Sequence, residues 1–128
     1  MKKIILLFSI AIVSLTISCK KNTDAHIPPD LTLKTGGNYT STDRAVMHGD
    51  SVLVGIIITK KEDDIKTLNF SYAYDGNSTT TTLMNVTMTA AEYGGYNHDF
   101  WLHTRNVAGT EKWIFTVTDR DGNIAQKS

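Results

Sequence analysis

The residues of this chain that could do chemistry are few and set apart. Its four histidines are His26, His48, His98 and His103. Zinc sites take histidine in close pairs backed by cysteine or carboxylate, and none of these spacings supplies one. His98 and His103 stand five apart in an extended stretch, so they leave a strand on opposite faces. Asp119-Arg120-Asp121-Gly122-Asn123 gathers oxygen ligands around a glycine as a calcium loop does. Its glycine arrives too early, however, and no closing glutamate follows. A hairpin turn explains the same residues, and Asp119, Asp121 and Glu62 or Asp63 are the carboxylates an interstrand cation would otherwise need. No Gly-x-Ser-x-Gly elbow marks a nucleophile, and no glycine-rich loop before a helix could cradle phosphate. The pair Asp63-Asp64 falls in a charged, solvated turn, where nothing raises a carboxyl pKa for acid catalysis. The expectation is a protein with no catalytic residue, no metal and no cofactor.

The single cysteine is different. Lys2 and Lys3 open the chain, residues 4–17 are fourteen uncharged and mostly apolar positions, and Ser18-Cys19 follow. A spanning helix needs ~20 apolar residues, so the run has the length of a secretory core rather than of an anchor. Leu15-Thr16-Ile17-Ser18-Cys19 resembles the lipobox of bacterial lipoproteins, with Thr16 where leucine is preferred. Lys20, Lys21, Asn22, Thr23 and Asp24 are similar to the polar segment that follows the cysteine in Bacteroidota-type lipoproteins. The resemblance implies removal of residues 1–18 as a signal peptide and lipidation of Cys19. It also implies attachment to the outer membrane of a bacterial cell envelope, on its periplasmic or exposed side. Two or three acyl chains, at ~0.8 kcal/mol per buried methylene, hold more firmly than one myristoyl chain. With Cys19 acylated, the exported domain has no disulfide and must rely on an apolar core.

Aromatic residues supply the candidate binding surface. Tyr93-Gly94-Gly95-Tyr96 reads as an adaptable loop with two aromatic faces. It leads into a strand whose outward residues include Trp101 and His103, with Tyr39 as a further contributor. Tyrosine and tryptophan bury much area while keeping a polar handle. Such a platform would take a sugar ring or a protein partner. Nucleic acid is excluded as a partner by charge: losing Lys2 and Lys3 from 13 basic residues leaves eleven against 13 acidic ones, with no basic stripe among them.

The elements that must position these residues read as strands. Residues 20–29 form a polar tether ending in Pro28-Pro29, which stiffens the junction. From residue 30 to 128, runs rich in Val, Ile, Thr, Tyr and Phe alternate with Gly, Asn and Asp clusters. Expected strands cover residues 31–35, 52–59, 68–74, 79–88, 99–105, 112–118 and 124–127, with a short extended piece at 45–48. The run at 52–59 is apolar on both faces and suits a central strand, whereas the threonine-rich 79–88 suits an edge. Asp75-Gly76-Asn77 makes a turn, and Asp121-Gly122 signals a two-residue hairpin. About seven short strands predict an all-β immunoglobulin-like sandwich filled by Phe70, Tyr72, Phe100, Trp113 and Phe115, with a closed barrel as the runner-up.

The chain also resembles the Ig-like domains of Bacteroidota surface lipoproteins. The likeness rests on the early Leu31-Thr32-Leu33, on Gly37 and Tyr39 before Ser41, and on the Phe115-Thr116-Val117-Thr118-Asp119 run into Asp121-Gly122-Asn123. It carries over no catalytic residue. The functional expectation is a lipid-anchored envelope protein with a non-enzymatic binding or structural role. The alternatives are a small carbohydrate-active enzyme of the envelope, or a structural subunit of a surface complex joined through the short final strand.

Overall fold

The computed structural model describes residues 24–128; the signal segment, Cys19 and the tether as far as residue 23 lie outside the described residues. Seven strands form: β1 (Asp30–Leu33), β2 (Ser51–Thr59), β3 (Ile65–Tyr74), β4 (Thr81–Thr87), β5 (Gly95–His103), β6 (Glu111–Asp119) and β7 (Ile124–Lys127). They pair antiparallel in two sheets, β1-β2-β5 and β4-β3-β6-β7. The result is an all-β sandwich, as the strand periodicity predicts.

Alternation of β-branched and aromatic residues dictates which faces meet. In β2, Val54, Ile56 and Ile58 are buried, and across the sandwich so are Leu68 and Phe70 of β3 and Phe115 and Val117 of β6. Phe70 and Phe115 stack with ring centroids 4.6 Å apart. Phe100 of β5 reaches across from the other sheet to 5.1 Å from Phe70 and 5.4 Å from Phe115. Three phenylalanines from three strands thus join the layers, and each fully buried ring contributes roughly 1.5–3 kcal/mol. Trp113 packs partly buried beside Phe70, at 5.5 Å. β4 lies at a sheet edge, as its threonine content suggests.

Three local expectations change. Residues 45–48 are not a strand but part of the long β1–β2 connection. The part of that connection that bridges to β2 is Tyr39 and Thr40, where the Thr40 N–H donates to the Leu53 carbonyl at 2.7 Å. The Asp121-Gly122 hairpin is wider than two residues. The buried Asp119 carboxylate accepts from the Asn123 backbone N–H (2.8 Å) and side-chain amide (3.0 Å), and so fixes a longer loop with Gly122 at φ 91°. Finally, β5 begins at Gly95 rather than near residue 99. The extra turnless residues pair with β2 down to Gly95 against Thr59, and this decides the fate of the tyrosine loop.

Candidate functional site

The outer face of the β1-β2-β5 sheet is built around a glycine. Gly55 sits mid-strand in β2, opposite Asp99 of β5. A Cβ there would lie 2.8 Å from both Asp99 Oδ1 and Tyr39 Cε1, and closer still to Lys34 Cδ. A mid-strand glycine of this kind marks close approach by another group. The missing side chain lets the Tyr39 ring lie across the sheet. Its hydroxyl donates to Asp99 Oδ2 at 2.9 Å, while Lys34 Nζ donates to Asp99 Oδ1 at 2.6 Å. The Lys34 ammonium, and after it the Tyr39 hydroxyl, hold the Asp99 carboxyl below the ordinary carboxylate range. The same contact with Asp99 raises Lys34.

One step along β5, Trp101 stands opposite Leu53 and is 64% exposed. One step further, His103 stands opposite Ser51, and His103 Nδ1 shares a hydrogen bond with Ser51 Oγ at 2.7 Å. Beside Trp101 a shallow pocket of about 330 Å³ opens, lined by Asn38, Tyr39, Thr40, Arg44, Ser51 and Leu53 among others. Trp101, His103 and Tyr39 therefore share one face, on a rigid strand and a loop pinned to it.

Tyr93 and Tyr96 do not join them. Because β5 starts at Gly95, Tyr96 takes the inward register opposite Ile58 and packs partly buried against the core. Burial, and then the Glu92 charge, push its hydroxyl pKa up. Tyr93 also packs on the core, with the Arg120 guanidinium 4.1 Å over its ring. The Tyr-Gly-Gly-Tyr stretch is a tight connection, tied by Ile65 N–H to the Tyr93 carbonyl at 3.0 Å and by Gly95 N–H to the Glu92 carbonyl at 3.1 Å. It is not an adaptable aromatic loop, and the two tyrosines face the sandwich interior rather than the Trp101 surface.

Two further constellations appear. At the opposite end from the Trp101 pocket, Asp24, Asp63 and Asp121 bring their carboxylates within 4.8 Å of one another. Asp119 and Glu62, the other acids of the calcium reading, are occupied elsewhere: Asp119 caps Asn123, and Glu62 accepts the Ala25 and Ile27 N–H groups at 3.1 Å each. Asp121 is raised, first by its hydrogen bond to Asp24 and then by Asp63. Carboxylates brought this close disfavour one another's ionisation, which is the direction Asp121 shows.

The second is a latch on Arg105. Its guanidinium is bidentate to Asp75 at 2.9 and 3.0 Å and lies 4.0 Å over the Tyr74 ring. Its backbone N–H and Nε meet Glu111 Oε1 at 2.7 and 3.4 Å. The latch flanks a groove of about 820 Å³ between the sheets, lined by Val46, Val52, Leu102, Glu111 and Trp113 among others.

The remaining titratable candidates do not converge. Glu111 lines this groove, Glu92 caps Thr89, His98 stacks on Tyr96, and Asp99 and His103 keep separate partners on the outer face. Asp99 is a titratable candidate in the sequence, but its partners Lys34 and Gly55 are not marked there; the isolated glycine inside an apolar strand is the one signal available. No protein-family model matches the chain, and no curated protein matches it.

Proposed function

We propose that the chain is a lipid-anchored binding module of a bacterial cell envelope, held to the outer membrane through Cys19 and non-enzymatic in its role. Its ligand is a glycan taken on the outer face of the β1-β2-β5 sheet. The observation that carries this reading is Trp101: a large ring, 64% exposed, fixed on a strand beside a small polar-lined pocket. Exposed indole next to hydroxyl, amide and guanidinium groups offers an apolar surface for the C–H face of a sugar and hydrogen-bond partners for its hydroxyls. Tyr39 and His103 flank the ring, and the Lys34–Asp99 pair beneath is already neutralised. The lipobox-like residues 15–19 support the anchor.

A glycan array read with the wild type and Trp101→Ala tests the site. Replacing the ring should weaken capture by about 2 kcal/mol, as for a hot-spot aromatic. Unchanged capture, or capture of envelope protein in place of any glycan, sinks the glycan reading. Palmitate labelling of the wild type and of Cys19→Ala tests the anchor separately, and equal label in both would remove it.

A further inference from the structure

The free edge of β5 has a defined hydrogen-bonding register. In an antiparallel strand, successive residues direct their backbone N–H and C=O groups alternately to the two neighbours. The Lys34 N–H donates to the Gly55 carbonyl at 2.8 Å, so Gly55 and the other odd-numbered residues of β2 face β1. At the far end the Lys60 N–H donates to the Gly94 carbonyl at 3.1 Å, so the even-numbered residues of β2 bond to the even-numbered residues of β5. The backbone groups of Asn97, Asp99, Trp101 and His103 are therefore directed away from β2. Among the described residues no strand lies along that edge.

Edges of this kind are normally blunted by lysine, proline, a bulge or brevity. β5 is 9 residues long, contains neither lysine nor proline, and pairs with β2 without a register shift. Its outer face alternates Asp99, Trp101 and His103. We infer that β5 pairs antiparallel with β5 of a second copy about a two-fold axis at Trp101, joining two three-stranded sheets into one of six. This goes beyond ligand binding, since the contact is made by backbone groups on the strand's edge.

Charge selects the register. With the axis at Trp101, Asp99 falls opposite the partner's His103 on both sides of the axis, and Trp101 falls opposite the partner's Trp101. An aromatic pair in directly facing positions stabilises a ladder, and this register keeps the two aspartates apart. With the axis at Asp99, two aspartates would face each other directly, which is unfavourable. The Trp101 register also covers the largest exposed apolar side chain of the strand. It sets two indoles side by side on one continuous face.

Sedimentation equilibrium of the full chain in detergent, over a range of protein concentration, tests the pairing. The wild type should dimerise reversibly. Trp101→Lys and His103→Glu, which place like charges across the axis, should weaken association at least ~tenfold, about 1.4 kcal/mol. Their melting curves should stay close to the wild type's. In the double variant Lys34→Arg with His103→Lys, which leaves Asp99 without the amine it meets in its own copy, a zero-length carbodiimide should couple Asp99 of one copy to the introduced ammonium of the other, read by mass spectrometry of the linked peptides. A chain that stays monomeric at every concentration overturns the inference. So does a dimer that survives both charge variants, or one that yields no such cross-link.

Discussion

Tyr39 and Gly55 are in steric contact across the sheet: the aromatic ring occupies the space where any other residue at 55 would carry its Cβ. The ring is held there by its hydroxyl on Asp99, so any side chain at 55 must displace it. Gly55→Ala should therefore destabilise the fold by roughly 1–3 kcal/mol, the usual cost of overpacking a filled site. Chemical denaturation of this variant checks it. The paired variant Gly55→Ala with Tyr39→Ala should recover part of the loss, because the clashing ring is gone.

Trp101 and Phe70 should separate cleanly in stability. Phe70 is 1% exposed and touches three other aromatic rings, so Phe70→Ala should cost about 3–5 kcal/mol. Trp101→Ala should stay within about 1 kcal/mol of the wild type, since little of its surface is buried within one copy. Melting below the dimerisation range isolates this comparison. A collapse of Trp101→Ala there would mean that the indole is a core group.

The pH dependence of stability has opposing contributions that can be told apart. Asp99 is depressed in the fold, so its stabilisation is present above the unfolded carboxylate pKa of about 3.9 and is lost as pH falls through the lower folded value. Lys34 is raised, so its share is present below the ordinary lysine pKa and is lost as pH rises through the higher folded value. Asp121 and Asp63 are raised, Asp63 chiefly by burial. The folded protein holds those protons more tightly than the unfolded chain does, so these two groups favour folding as pH drops towards the ordinary range. Asp99→Asn should flatten the acid limb of a melting-temperature profile, whereas Asp121→Asn should raise the midpoint at neutral pH. A neutral-pH midpoint that falls in Asp121→Asn would contradict the like-charge account.

Much of this arrangement is legible from local pattern, and what is not has a common cause. The Val/Ile alternation of β2 and the aromatic alternation of β6 identify their strands and inward faces, because a period of two is written directly in the residues. The same parity places Trp101 and His103 outside. Tyr39, Lys34 and Asp99 gave no sign of belonging together, since their contacts span 60 and 65 residues and depend on sheet order. Two adjacent glycines read as a loop in the sequence, yet Gly95 pairs with Thr59 in β5, and that turns Tyr96 inward. Ser71 and Ile114 have the outward parity of their strands, yet they face each other across β3 and β6 and are buried on the outer side of their sheet. Strand parity assigns a face but does not say whether that face is covered.

Arg105 offers the sharpest test of geometry against charge. Its side chain joins the β5–β6 connection to the β3–β4 turn through two parallel bonds to Asp75, and it also meets Glu111 and the Thr110 carbonyl. Asp75 is held below the ordinary carboxylate range, first by Arg105 and then by the Thr110 N–H. Lysine can supply the charge but not a planar fork, and it can neither satisfy both Asp75 oxygens and Glu111 together nor stack flat on Tyr74. Arg105→Lys should accordingly lose most of the melting temperature that Arg105→Ala loses, several degrees in each case. The damage should concentrate in the turns it joins. Amide exchange at Thr110, whose N–H donates to Asp75 Oδ1 at 3.0 Å, should accelerate in both variants while that of buried Val117 changes little. If Arg105→Lys keeps the wild-type midpoint and the wild-type exchange at Thr110, the latch is held by charge alone and the bidentate geometry contributes nothing.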